Sequence, residues 1–242
     1  MKRILLLLIA PVIAVASCNT RTETQVVDGT AVDHGRALFS DRSASSSPLN
    51  RFSCATCHPI VGSSADRIFP GASLAGAPKR TSFWQGQEND LLTAINDCRS
   101  YFMDATDPWT TNEENAKAMY AYLTSLPSTD LRPIAFTVVQ NVVEVLPSDR
   151  AQGEGVYRRA CQTCHGDLHT GNGRMAPLAP TLPDDVLADH QEYPLAEQRL
   201  VFVEKVRHGG FLGYGGTMPP FSLEVLTDAD LSALVAYLEV YR

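Results

Sequence analysis

The sequence has few basic residues and no basic run beyond its first three positions. Lys and Arg total 20 against 27 Asp and Glu, which gives a formal net charge of −7 over 242 residues. Nucleic-acid binding needs a positive surface that neutralises phosphates, so we expect no nucleic-acid partner. The sequence also lacks a glycine-rich phosphate loop and a recurring strand–helix alternation, which argues against nucleotide-binding α/β folds. The six cysteines are therefore the first place to look for a function.

The N-terminus has the features of an export signal. Two basic residues precede an apolar stretch at residues 4–16 that is too short to span a bilayer. The stretch runs into V-A-S-C, ending at Cys18, which resembles the bacterial lipoprotein box. The resemblance implies removal of a signal peptide at 1–17, a lipid anchor at Cys18 and a polar tether at 18–30. We expect an exported lipoprotein anchored to a membrane, at its periplasmic face or at the cell surface; the alternative is an ordinary cleavage site with Cys18 as an unmodified thiol.

Four of the other five cysteines form two C-x-x-C-H motifs, at residues 54–58 and 161–165. This is the attachment signature of c-type haem, because thiols three residues apart lie on one side of a helical turn and can bond the two vinyl groups. A zinc half-site or a redox dithiol could explain one motif, but the two are far apart in an exported chain. The residues that would hold two covalently bound c-type haems are Cys54, Cys57, His58, Cys161, Cys164 and His165.

The two halves of the chain repeat one pattern. Residues 118–123 match residues 233–238, and apolar residues recur around both with the spacing of an amphipathic helix. A threonine with an acidic residue three positions later, Thr111 in the first copy and Thr227 in the second, should cap each helix. The repeat predicts two copies of one helical arrangement.

The haem motifs resemble those of c-type cytochromes, and the resemblance covers both halves of the chain. In that family a glycine lets the first and last helices cross and an aromatic side chain packs beside it. Gly35 with Phe39 and Gly153 with Tyr157 fit these roles. We therefore expect an all-α fold with two tandem cytochrome c-like lobes, joined by a short connector that can be extended. The expected segments are a first lobe at 31–130, a connector at 131–147 and a second lobe at 148–242.

Two stretches fall outside the repeat. The serine-rich residues 43–53 are an insertion in the first copy, and their polarity predicts a surface loop. Residues 136–146 are too rich in β-branched side chains for a free linker. We expect them to form an ordered connector that packs against one lobe.

The motif histidines need a second hydrogen bond that fixes the ring. A metal-bound histidine ordinarily donates its other ring N–H to a carbonyl or carboxylate. The spacing favours the proline-containing loops at 70–74 and 177–182 as the source of these carbonyls.

The sixth iron ligand has its clearest candidate in the second half. Met218, followed by Pro-Pro-Phe, resembles the methionine ligand of class I cytochromes c. A thioether ligand favours ferrous iron and raises the reduction potential. If Met218 is a core residue instead, the alternative ligands are His169, His190 and His208.

In the first half, Cys98 and Met103 compete for the same role. The offset between the repeated helices carries Met103 onto Met218, whereas Cys98 lies on the apolar face of a predicted helix. Residues 94–103 resemble the corresponding region of thiosulfate dehydrogenases and of the haem subunits of sulfur-oxidation complexes, which use a cysteine ligand. A buried structural thiol is the remaining interpretation of Cys98. The candidate iron ligands are therefore His58, Cys98, Met103, His165 and Met218.

Two functional hypotheses follow from these residues. The first is an exported di-haem cytochrome c that transfers single electrons between redox protein partners at the cell envelope, with no catalytic residue. The second is a thiosulfate dehydrogenase-like enzyme that oxidises a sulfur anion at the first haem, where Lys79, Arg80 and Arg99 would bind the anion. We favour the first because every ligand position is filled, and because Tyr101 and Phe102 stand where the enzyme pattern calls for arginine.

Overall fold

The computed structural model describes residues 29–60, 65–128, 134–210 and 216–240, and within these ranges it is helical. Apart from one bridge between Phe83 and Glu88, the described residues form no β-structure, which confirms the all-α expectation for this part of the chain. No helix within these ranges has the length and apolar character needed to cross a membrane. The predicted signal peptide, Cys18 and most of the tether lie outside the described residues. The helices are α1 (Gly29–Ser40), α2 (Cys54–Cys57), α3 (Leu91–Met103), α4 (Glu114–Ser125), α5 (Arg150–Ala160), α6 (Gln162–His165), α7 (Asp184–Asp189), α8 (Leu195–His208) and α9 (Asp228–Tyr237).

Helices α1 and α4 cross at Gly35. The buried face of α1 carries Gly35, Leu38 and Phe39, and it meets Ala118 and Tyr122 of α4. A Cβ atom at Gly35 would lie 2.0 Å from the backbone oxygen of Ala118, so only glycine permits this approach. The rings of Phe39 and Tyr122 pack beside the crossing with centroids 5.4 Å apart.

Helices α5 and α9 cross in the same way at Gly153. A Cβ atom there would lie 2.0 Å from the backbone oxygen of Ala233. The rings of Tyr157 and Tyr237 pack beside this crossing with centroids 5.6 Å apart. The predicted crossing role of both glycine–aromatic pairs is therefore confirmed.

Each crossing pair has its own hydrophobic cluster. The first cluster is built mainly on α1, α3 and α4, and the second on α5, α8 and α9. The two clusters meet near the C-x-x-C-H motifs, because Cys164 and Met175 pack against the first cluster while Ile68 packs against the second. The two halves therefore contact each other close to the two C-x-x-C-H motifs.

The caps of α4 and α9 differ. Thr227 caps α9 as predicted, since its hydroxyl oxygen accepts from the N–H of Asp230 at 3.1 Å and the Asp230 carboxylate accepts from the N–H of Thr227 at 3.0 Å. Thr111 does not cap α4: the residue before that helix is Glu113, whose carboxylate accepts from the N–H and hydroxyl of Thr110 at 3.1 Å each. The prediction for Thr111 is wrong: Glu113 stands at the N-cap without a side-chain capping bond, because its carboxylate is bonded to Thr110.

The serine-rich residues 43–53 are less exposed than the predicted surface loop. Ala44, Asn50 and Phe52 are buried. The Asn50 side chain exchanges two hydrogen bonds of 2.9 Å with the backbone of Phe52, and the Ala44 carbonyl accepts from Nε of buried Arg99 at 2.7 Å. The surface-loop prediction is wrong for these residues, since Ala44 and Phe52 pack into the first cluster, whereas Leu49 is exposed as predicted.

Residues 134–147 form the connector without regular secondary structure, and they dock on the second half. Two of the valines pack against the second cluster. The N–H and hydroxyl of Thr137 donate to the Glu224 carboxylate at 2.8 and 2.6 Å, and Nε2 of His208 lies 2.5 Å from the Val139 carbonyl. The segment is therefore ordered by its contacts, as its β-branched composition predicted.

Replacing Gly153 by alanine should destabilise the protein. The new methyl group would overlap the backbone of Ala233, and overpacking of this kind costs about 1–3 kcal/mol. Gly155 lies in the same helix with open space around it, so Gly155→Ala should instead stabilise α5 by up to about 1 kcal/mol. Guanidinium chloride unfolding of the full chain should show midpoints shifted in opposite directions. Equal midpoints for the two variants would contradict the close crossing.

Candidate functional site

The first C-x-x-C-H motif forms the short helix α2. The N–H of Ser53 donates to the hydroxyl oxygen of Thr56 at 3.0 Å, which stabilises the start of the turn. The turn brings Cys54 and Cys57 to the wall of one cavity together with His58. Burial raises the pKa of the Cys54 thiol to about 11, so this thiol is protonated at neutral pH.

The His58 ring is held on two sides. Its Nδ1 lies 2.8 Å from the carbonyl oxygen of Ala72, in the proline loop predicted from the sequence. Gly71 lies against the ring, because a Cβ atom there would approach Cε1 of His58 to 2.4 Å. Burial is the main influence on this imidazole and lowers its pKa, so the ring is neutral at neutral pH, as a metal ligand must be.

The second motif repeats this arrangement in α6. Nδ1 of buried His165 lies 2.9 Å from the carbonyl oxygen of Pro180, again in the predicted loop. Burial is again the main influence and lowers the pKa of this imidazole. The Tyr157 hydroxyl donates to the Gly166 carbonyl at 2.8 Å, which ties the end of α6 to α5. Both motif histidines are therefore oriented by a backbone carbonyl of a downstream loop.

A mostly apolar cavity of about 610 Å³ adjoins the first motif. This volume lies within the range of about 300–1,000 Å³ that small-molecule and cofactor sites occupy. The walls come from both halves of the chain, since connector residues 134–137 and Pro219 and Pro220 line the cavity alongside α3 and α4. The rings of Trp84 and Phe136 meet edge to face in this wall, with centroids 6.1 Å apart. The cavity suits a flat hydrophobic group.

Both candidate sixth ligands of the first half lie on α3 and line this cavity. Met103 is only 2% exposed. Burial, together with the nearby charges of Cys54 and Asp97, raises the pKa of the Cys98 thiol to about 12. A thiolate at Cys98 would therefore need a cation beside it, as iron would supply. Both residues remain candidates.

The guanidinium groups of the two arginines that line the cavity donate hydrogen bonds to backbone carbonyls. Nε and Nη1 of Arg99 donate to backbone carbonyls at 2.7 Å each, and the guanidinium lies 4.2 Å from the ring centroid of Trp109. Arg80 donates to two further backbone carbonyls at 2.9 and 2.6 Å. Lys79 is not among the residues that line the cavity. Of the three residues predicted to bind an anion, only Arg80 and Arg99 therefore line the cavity.

Met218 lies in the segment 216–221 that follows α8, and it packs against the second cluster. The N–H of Gly210 donates to the Met218 carbonyl at 2.6 Å. A Cβ atom at Gly209 would lie 2.2 Å from that same oxygen, so the segment sits tightly against the end of α8.

The three alternative histidines of the second half contact protein groups. Nδ1 of His169 lies 3.0 Å from a carboxylate oxygen of Asp184. His190 stacks on Tyr193, and His208 is buried against the connector. None of these contacts favours a histidine over Met218 as the ligand.

Sequence reasoning missed two residues beside the first motif. Gly71 contacts the His58 ring, and Arg67 donates from Nη2 to the carbonyl of Thr56 at 3.0 Å. A Pro-Gly pair shortly after the motif is a signal that could have pointed to Gly71. Arg67 stands in a stretch without any periodic or motif pattern, so only the tertiary structure identifies it.

Comparison with known proteins bears mainly on the second half. Residues 148–238 match the family described as cytochrome c oxidase, cbb3-type, subunit III. No curated protein gives a significant match. Among solved structures, the chain is similar to the "as isolated" form of thiosulfate dehydrogenase (TsdBA) from Marichromatium purpuratum, with 20% identity over 87% of this chain and 45% of that chain and a TM-score of 0.41. The chain thus spans less than half the length of that protein.

These findings support a c-type cytochrome, a class in which haem is covalently bound. Within that class, residues 148–238 are similar to subunit III of the cbb3-type oxidases. The residues present fit the group: each motif offers two thiols and a histidine oriented by a carbonyl, and the first motif adjoins an apolar cavity.

Replacing Gly71 by alanine should disturb haem binding at the first motif. The methyl group would displace the His58 ring, so we expect less haem per chain or a fraction of high-spin iron in the absorbance spectrum. Gly29→Ala adds the same methyl group where nothing lies within 4 Å and should leave the spectrum unchanged. A wild-type spectrum for Gly71→Ala would contradict the packing of Gly71 against the ligand.

Proposed function

We propose that this protein is an exported di-haem cytochrome c that transfers single electrons between redox protein partners at the cell envelope. When bound, each haem iron takes up and releases one electron without any group transfer. The residues that would hold the two haems are Cys54, Cys57 and His58 in the first half and Cys161, Cys164 and His165 in the second.

The observation that carries this proposal is the repeated histidine site. His165 is buried and His58 is partly buried, and each has a lowered pKa and directs Nδ1 at a backbone carbonyl. A ring held in this way leaves Nε2 for a metal and keeps one orientation. A constant ligand geometry is what an electron carrier needs, because no bond has to be rearranged when the electron arrives or leaves.

The repeated helix crossings support two tandem cytochrome c-like lobes, at 31–130 and 148–242, with the connector at 131–147. Each lobe would combine a glycine crossing, a C-x-x-C-H turn and its own hydrophobic cluster. Each lobe would therefore hold one haem.

The sixth ligands would be Met218 in the second lobe and either Cys98 or Met103 in the first. A thioether favours reduced iron, whereas a thiolate brings negative charge to the iron and lowers its potential. With Cys98 as the ligand the two haems would have very different potentials, and with Met103 they would be similar.

Export and a lipid anchor at Cys18 would keep the protein at a membrane surface. The polar tether expected at 18–30 would join this anchor to the first lobe. The net charge of −7 favours redox partners with a basic docking surface.

A thiosulfate dehydrogenase-like enzyme is the second candidate, because Cys98 lines the same cavity as His58. A sulfur anion would need cationic donors within that cavity. Arg80 and Arg99 each donate to two backbone carbonyls, which reduces their capacity to bind an anion. The electron relay is therefore the better supported function.

The purified full-length protein should contain two covalently bound haems per chain. The pyridine haemochrome absorbance relative to protein concentration measures this ratio directly. Replacing both cysteines of one motif by serine should leave one haem, and the two double variants, Cys54→Ser with Cys57→Ser and Cys161→Ser with Cys164→Ser, control for each other. One haem per wild-type chain would overturn the di-haem proposal.

Thiosulfate should not reduce the oxidised protein in stopped-flow absorbance, whereas dithionite should reduce both haems. The comparison includes Cys98→Ser, with Met103→Leu as the matched variant on the same helix. Rapid reduction by thiosulfate that is lost in Cys98→Ser would establish the enzyme and refute the simple relay. The same two variants identify the ligand, because only loss of the true ligand opens the iron to carbon monoxide.

A further inference from the structure

Residues 65–69 are bonded to the first C-x-x-C-H motif and to the end of the helix that leads into the second motif. Nη2 of Arg67 donates to the carbonyl of Thr56, inside the first motif, at 3.0 Å. The N–H of the next residue, Ile68, donates to the carbonyl of Arg159 at 3.0 Å, at the end of the helix that leads into the second motif. One dipeptide therefore fixes the two motifs relative to each other.

Side-chain contacts near the second motif also join the two halves at this place. Cys164 and Met175 pack against the first hydrophobic cluster, and the side chain of Ile68 packs against the second. Arg67 bonds to the first motif, and the next residue bonds to the end of the helix that leads into the second motif, so the positive charge of Arg67 lies where the two halves meet.

The guanidinium of Arg67 is held at this junction rather than released to solvent. It lies 4.3 Å from the ring centroid of Phe69, an arrangement in which the aromatic face stabilises the cation. Its Nε is buried and has no hydrogen-bond partner among the described residues. The Phe69 ring and the Thr56 carbonyl together hold this positive charge at the junction of the two halves.

We infer that Arg67 is a positioning residue for electron exchange between the two haem sites: it fixes the two attachment motifs against each other and supplies a positive charge shared by both. This inference rests on the proposed di-haem function. A cation close to both sites stabilises the reduced form of each, because reduction adds one negative charge. One electron leaves the first site and reduces the second, or the reverse, while Arg67 stays protonated and no bond is made or broken.

Spectroelectrochemical titration of the full-length holoprotein tests this role. Arg67→Gln should lower the midpoint potentials of both haems, with a reduction equilibrium several-fold less favourable at each site; a tenfold change corresponds to about 59 mV for one electron. Arg67→Lys keeps the charge and should restore most of both potentials. Arg36→Gln removes an exposed arginine that pairs with Asp33 on α1, and should leave both potentials unchanged.

The alternative outcomes separate this inference from the proposed function. A wild-type protein with fewer than two haems refutes the di-haem function before any variant is compared. Two haems in wild type and in Arg67→Gln, with both potentials unchanged or only one lowered, overturn the role of Arg67 and leave the di-haem function intact. If Arg67→Gln fails to load haem, Phe69→Leu tests the same point, because loss of the ring lets the guanidinium move toward water. Both potentials should then fall, and unchanged potentials in Phe69→Leu would likewise overturn the inference.

Discussion

The architecture depends on two places where helices approach so closely that only glycine fits. At Gly35 and at Gly153, a side chain would overlap a backbone carbonyl of the facing helix. This contact holds the first helix of each half directly against the last one. Helix α5 then runs straight into α6, and α1 leads into the partly buried 43–53 segment that precedes α2. The position of each C-x-x-C-H turn therefore follows from a backbone-to-backbone contact rather than from a flexible side chain.

The cavity at the first motif is not built by one half of the chain alone. The wall of the first cavity includes the connector and also Pro219 and Pro220, which directly follow Met218. The connector is in turn attached to the second half through Glu224 and His208. A change at the Met218 segment would therefore be transmitted to the wall of the first cavity. Close packing of this kind would suit the proposed exchange of electrons between two haems.

Predictions from the sequence were most accurate where the signal was local. The Thr227 cap, the apolar face of α3 and the loops that supply carbonyls to the motif histidines follow from spacing within a few turns of chain, and the structure has them. The Thr111 cap of α4 was wrong, because the pairing of Thr110 with Glu113 forms instead and leaves α4 without a side-chain cap. The burial of Ala44 and Phe52 was missed because it depends on contacts with residues distant in the sequence, such as the bond from Arg99 to the Ala44 carbonyl.

The sequence by itself determined the helical class, the two C-x-x-C-H motifs and the glycine–aromatic pairs, because each depends on residue types at short, regular spacings. Only the tertiary structure decided that the two motifs adjoin, that the connector and Pro220 close the first cavity, and that Arg67 lies between the motifs. These features arise from contacts between residues far apart in the chain. Such contacts leave no periodic pattern in the sequence, since each partner only has to be of the right kind at the point where the folded chain brings the two together.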